Sequence, residues 1–537
     1  MLVEKPREMN ICATTCRFFA AIVLIAAPCV YAQAQSQWAH EGPDGRLVYR
    51  SAPDGDHIMD FSYAGYMGGG VALPNVPVKL TVHPSGAADD TASIQAAIDK
   101  VSALPLVGKF RGAVLLQPGV YKCDQTIFIS ADGVVLRGSG DQEGNSSSTI
   151  LMSGKPHVAI AVQRSRGEGG RPSDEADATT LPAGAVRTLI ADRYVPSGSM
   201  SFHVADASGF APGDFVVIRR PVTQRWVDFM HMDDLVRNGR RETWLAVPSF
   251  LITQRQISAI VGNTITLDAP VTDSLDSRFD DPPGAMLVET PAPMEPSQVG
   301  IEFLRIQCPP QRFNHTRPHF SAIRMQAQDS WIRDTYAQDT MGSVAVEGRR
   351  ITLLRVAVVR TVPHIGASRP AEFAPNATEV LMDRCSVKAD NIWFSATGKG
   401  ESGPIVLLNC EFRGDGDAES HQRWSTGILY DNCVVKGGGI ALRDRGEMGS
   451  GHGWTMGWGV VWNCRASDFI VQNPPGTLNW LIGSIGAVEL APQPFGRGPD
   501  LPQGTIDSPD RPVTPRSLYL AQLAERLGPR ALRNIGY

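Results

Sequence analysis

Leu408-Asn409-Cys410, Asp431-Asn432-Cys433 and Trp462-Asn463-Cys464 each close a short run of alternating apolar residues, and Asp383-Arg384-Cys385 closes a fourth. Three earlier runs of the same kind centre on Ile306, Thr335 and Val356. Successive centres lie 29, 21, 29, 25, 23 and 31 residues apart. Irregular repeats of this length, each carrying one short strand, predict a solenoid of stacked parallel strands. Stacking puts equivalent residues of adjacent turns about 4.8 Å apart. Residues far apart in sequence then share one surface.

The rest of the composition agrees with an all-β chain. Among 537 residues there are 53 Gly and 39 Pro, too many turn formers for an all-helical array. The formal net charge of −5 offers no basic stripe, which speaks against a nucleic-acid partner. Lys5, Arg7 and Arg17 precede an apolar run, Phe18 to Val30, and small residues follow at Ala32-Gln33-Ala34. That order predicts a secretory signal over 1–34, cleaved after Ala32 or Ala34, and a secreted or periplasmic monomer with no membrane attachment afterwards. Cys385, Cys410, Cys433 and Cys464 share one phase of the repeat. They read as a buried ladder of small side chains, with disulfides as the alternative in an oxidising compartment.

Gly86-Ala87-Ala88-Asp89-Asp90-Thr91 leads into Ile94, Ala97, Ile98 and Val101, one greasy helical face with Asp90 or Thr91 as N-cap. Short strands follow through Pro118-Gly119-Val120-Tyr121 and Leu136-Arg137-Gly138-Ser139-Gly140. This block, residues 86 to 140, resembles the opening of pectate-lyase-like right-handed parallel β-helix proteins, and with the later turns the resemblance covers about 80 to 485. It implies a right-handed parallel β-helix with an N-terminal capping helix. The superfamily contains polysaccharide lyases, glycoside hydrolases, epimerases and phage tailspikes. Residues 35–80 read as an extended segment and 81–185 as the start of the coil, ending in a polar Gly/Pro-rich loop from 155. Residues 186–290 read as a small β-rich insertion, because Ser201–Val204, Asp214–Arg219, Gln256–Ile260 and Thr264–Leu267 alternate as antiparallel strands do. Trp226 to Leu251 within it would overhang a groove. Residues 291–486 carry the main turns with the active-site loops, and 487–537 a Pro-rich tail and a terminal helix.

The loops after the late strands hold the candidate chemistry. His364 and Arg369 follow Val356, and Asp390 and Trp393 follow Cys385. Asp415, Asp417, Glu419, His421, Arg423 and Trp424 follow Cys410. Arg443, Arg445, His452 and Trp454 follow Cys433. Starting at matching phase, these loops should lie side by side and line a cleft for an anionic polysaccharide. Trp393, Trp424 and Trp454 would offer faces to sugar rings. Arg369, Arg445 and His364 would bind substrate acids. In an extended segment Asp415, Asp417 and Glu419 point the same way, so they would hold Ca²⁺ or raise one another's pKa. Gly451-His452-Gly453 resembles the Gly-His-Gly element of polygalacturonase-type hydrolases, although the adjacent Asp pair those enzymes carry is missing from the late turns.

Two reactions fit these residues. β-Elimination at a uronate needs a neutralised carboxylate, from Arg423 and Arg443 or from Ca²⁺, and a base, His421 or His452. This polysaccharide lyase is the leading expectation. Glycoside hydrolysis needs two carboxyl groups about 5 to 9 Å apart, which Asp390 with Asp415, Asp417 or Glu419 would supply. A non-catalytic glycan-binding β-helix is the third reading.

Overall fold

The computed structural model describes residues 34–141, 146–165, 184–492 and 501–537. The signal reading over residues 1–33, the middle of the polar loop and part of the Pro-rich tail lie outside them. The described chain is mostly β, and the late segments wind as a coil. Leu381–Asp383, Val406–Leu408, Leu429–Asp431, Val460–Trp462 and Trp480–Ile482 stack in parallel, each one turn after the last. A second ladder runs through Ser386–Lys388, Glu411–Arg413 and Val434–Lys436. A third runs through Ala371, Trp393, Asp417, Gly439 and Asp468. Three ladders per turn make a three-sided coil.

The Asn-Cys repeat has a backbone cause. Arg355, Arg384, Asn409, Asn432 and Asn463 mark the corner between the first two ladders, with φ of 52°, 54°, 51°, 54° and 50°. Asn visits this left-handed region more readily than most side chains. The next residue then turns inward, so Cys385, Cys410, Cys433 and Cys464 are buried, and all four are free thiols. The sequence reading of a buried ladder holds, and the disulfide alternative does not.

The Thr91–Ser102 helix lays Ile94, Ala97, Ile98 and Val101 into the same apolar cluster as Val114, Leu116 and Tyr121 of the first strands. Asp90 precedes it, but its carboxylate accepts from the Ser85 and Lys122 amides, and Asp89 accepts from the Thr91 amide instead.

The first ladder is buried on both faces, which is why its strands read as near-continuous apolar runs. Outside it, Leu381, Val406, Leu429 and Trp462 pack with Phe61 and with Leu518, Tyr519 and Leu523 of the terminal helix, Leu518–Leu527. That helix therefore lies along the side of the coil. Asp431 Oδ2 accepts from Ser517 Oγ at 2.7 Å and from the Tyr519 amide at 2.8 Å, at the start of this helix. Full burial pushes the Asp431 carboxyl up to about 7. The native state therefore keeps a proton that the unfolded chain sheds near 3.8. This group's contribution is fully present below that pH and is lost as pH rises through about 7. Asp431→Asn is expected to flatten the decline in stability between pH 4 and 7, by roughly 1.4 kcal/mol for each pH unit over which the two states differ by one proton. Urea denaturation at several pH values reads it.

Between the early and late turns stands an antiparallel six-stranded sheet, ordered Arg187–Leu189, Met286–Glu289, Phe215–Val222, Ser249–Val261, Thr264–Leu267, Ser201–His203. Arg255 fastens it to the coil. Its buried guanidinium donates to the Ala269 and Pro270 carbonyls of the insertion and to Thr378 Oγ1 and the Gly403 carbonyl of the coil. Among the described residues no helix is long and apolar enough to cross a membrane.

Candidate active site

The third ladder carries the densest chemistry. Ala418, Ile440 and Phe469 point into the core, so by alternation Asp417, Gly439 and Asp468 stand outward on three successive turns. The Gly439 amide donates to Asp417 Oδ1 at 3.0 Å. From the other side, Asp468 leans over the same glycine: a Cβ there would collide with Asp468 Oδ1. Both carboxyls thus touch one residue, which places their nearest oxygens within about 8 Å of each other. Gly439 is the empty position that lets them face one another.

Their surroundings differ. Burial pushes both acids up. Arg369, Arg443 and Arg445 pull Asp417 back toward the ionised form, as does the Gly439 hydrogen bond. Asp468 has no such relief, since Asp417 and Glu489 both add to its rise. Both carboxyls are therefore raised, and only Asp417 has cations beside it to draw it back.

Beside Asp417 the arginines form a cluster. Arg445 pairs with Glu419 at 2.9 Å, both side chains at least 95 % buried, and donates to the His421 carbonyl. Burial pushes Glu419 up against the pull of Arg445. Arg369 and Arg445 also sit 5.2 and 5.1 Å from the ring centre of Trp393. Trp393 is thus covered by cations, not open to a sugar face. Arg369 and Arg443 have no ion-pair partner among the described residues. The His421 and His452 rings meet edge to face, with centroids 4.7 Å apart. Burial and the nearby Arg445 push His452 down to about 3, so its ring is neutral near pH 7.

Several residues expected at the site stand elsewhere. Trp424 and Trp454 are buried with Trp226, Trp244 and Met230, and their indole N–H groups donate to Asp273 and to the Met230 carbonyl. They join the insertion to the coil and present no platform. Arg423 spends its guanidinium on the Ser450 and Gly451 carbonyls. His364 is buried, accepts from the His315 amide, and is pushed down to about 4. Asp415 is exposed and accepts from the Asn391 amide before the strand Asp417–Glu419 begins. Asp415 therefore stands apart, whereas Asp417 and Glu419 lie on one side of the strand and Asp417 adds to the rise of Glu419. Among the described residues no group of three His, Cys, Asp or Glu is placed to hold a metal ion.

Asp468 escaped the sequence reading. Asp417 stands seven residues after Cys410, Gly439 six after Cys433 and Asp468 four after Cys464. The corners shorten along the coil, so a common phase counted from the Cys does not align them.

No protein-family model matches the chain, and no curated protein matches it. Among solved structures, the Gp54 tailspike of Acinetobacter baumannii bacteriophage AP22, in complex with A. baumannii capsular saccharide, is 11 % identical with a TM-score of 0.34. That alignment covers 74 % of this chain and 61 % of the tailspike, so the chain spans about three fifths of that protein. The tailspike gp49 of Pseudomonas phage LKA1 is 14 % identical with a TM-score of 0.33, over 78 % of this chain and 70 % of that one. A glycoside hydrolase is 10 % identical with a TM-score of 0.23, over 82 % of this chain and 98 % of that one. The coil described above rests on its own strand register and not on these likenesses.

Proposed function

We propose that this protein is a carbohydrate-active enzyme that hydrolyses an acidic polysaccharide, on a coil of right-handed sense capped by the Thr91–Ser102 helix. The observation that carries the reading is the pair Asp417 and Asp468 facing across Gly439. An upper limit of about 8 Å is compatible with the separations hydrolytic carboxyl pairs use, about 5 to 9.5 Å. Asp468, raised by burial, Asp417 and Glu489 with no cation to offset them, gives its proton to the glycosidic oxygen as the C–O bond breaks. Asp417, drawn back toward the ionised form by the arginines, takes a proton from the attacking water. Arg369 and Arg443 supply positive charge for an acidic sugar beside the scissile bond.

β-Elimination is the second reading. It is favoured by the same arginines, Arg369 and Arg443, which would neutralise a uronate, and by His421 as base beside the neutral His452. The product separates the two. Incubation with uronate-rich polysaccharides is expected to release reducing ends without the ultraviolet absorbance of a C4–C5 unsaturated uronate, with or without chelator. Absorbance rising in step with reducing ends would replace hydrolysis with elimination.

A further inference from the structure

A cleft of about 390 Å³ opens between the insertion and the earlier turns of the coil. Its roof is the long hairpin strand Ser249–Val261, which presents Phe250, Ile252 and Gln254. Its floor is the outward face of the strands Ser321–Gln338, Val344–Val359 and Ala371–Thr378, where Gln326 and Asn376 stand two turns apart in one column with Glu347 between them. Its far wall is Lys399 to Ser402.

That wall leads to the site. The Gly398 amide donates to Asn376 Oδ1, the His421 amide to the Thr397 carbonyl, and the Gly400 amide to the Arg423 carbonyl. Two rungs, about 10 Å, therefore separate Asn376 from His421 along the coil. A chain leaving the cleft would reach the acid pair by passing His421 and Arg443.

The lining differs in kind from the arginine cluster. Arg349 and Lys399 offset Glu295 and Glu401, and Glu347 in the floor column adds one further carboxylate. Arg349 is already bound to Asp268 and Glu379, and Gln328 donates to Glu295. What remains is amide and apolar groups with the Glu347 carboxylate among them, a lining that meets hydroxyls and C–H faces together and repels an acid.

Resting on the hydrolase reading, we infer that the cleft binds an uncharged sugar residue of the same chain whose acidic residue meets Arg369 and Arg443. The substrate is then a heteropolysaccharide with both acidic and neutral sugars, not a homopolymer of uronate.

The test is binding by the full chain carrying Asp468→Asn, which holds substrate and cuts it about 10²- to 10⁴-fold more slowly. The ligands are a panel of bacterial capsular heteropolysaccharides of mixed uronate and neutral composition, with polygalacturonate and dextran as homopolymer controls. The tightest ligand is expected to be a mixed chain, at least tenfold ahead of both homopolymers. Asn376→Trp should remove that lead and leave polygalacturonate binding within twofold. Asn376 also holds the Gly398 amide, so Gln254→Trp, at an exposed roof position, provides a second plug with the same expected result and an unchanged melting temperature. A homopolymer as tightest ligand, or mixed-chain binding unchanged in both Trp variants, overturns the inference. If the wild type cuts polygalacturonate and the plugs change nothing, only the cleft assignment falls. If no glycan is bound or cut, the hydrolase reading falls with it.

Discussion

Asp468→Asn is expected to lower kcat by about 10²- to 10⁴-fold, the usual contribution of a positioned general acid, with little change in KM. The carboxamide keeps the shape and loses the proton. The wild-type alkaline limb of the pH profile should lie above the ordinary carboxylate range, because burial, Asp417 and Glu489 all raise Asp468. In the variant's residual activity that limb should vanish. Gly439→Ala reaches the same end by another route, since its methyl would collide with Asp468 Oδ1 and force the acid aside. Asp468→Asn protein that keeps more than a tenth of wild-type kcat would remove the pair from the mechanism.

Asp273→Ala should have the largest effect on stability, a loss of about 3 to 5 kcal/mol, as for breaking a buried ion pair from one side. Asp273 accepts from Arg220 at 2.7 Å, from Trp424 Nε1 at 2.8 Å and from Trp458 Nε1 at 3.3 Å. Arg220 belongs to the insertion and both tryptophans to the coil, so one carboxylate joins the two. Its removal orphans two indole N–H groups and leaves Arg220 with Asp280 alone. Asp280 reaches Arg220 only through Nε, at 3.2 Å, so it is a weak substitute. Thermal melting should show the loss, and limited proteolysis should first cut within residues 187–289. A melting temperature within a degree of wild type would show that the junction does not depend on this residue.

Much of the coil was readable because its causes are local. The apolar run that ends the strand Ser402–Leu408, like its equivalents on other turns, could be seen without any contact. The Asn before each Cys reports a left-handed corner that depends on its own φ. The helix at 91–102 and the insertion strands followed from period alone. The cluster of Arg369, Arg443 and Arg445 around Asp417 followed from loops that begin in phase. Trp424 and Trp454 misled for the opposite reason. Their neighbours are polar, so they looked exposed, and only the distant segment Trp226–Leu251 folding over them makes them core. Asp415 misled because the extended run starts two residues later than the alternation suggested.

By itself the sequence determined the winding: backbone preferences at the corners and apolar period along the strands act over a few residues and need no partner. Only the tertiary structure decided which acids face each other. Asp417 and Asp468 are 51 residues apart, and corners of unequal length separate the strands that carry them. Their meeting depends on the register of the turns, which inter-strand hydrogen bonds set and no single segment encodes.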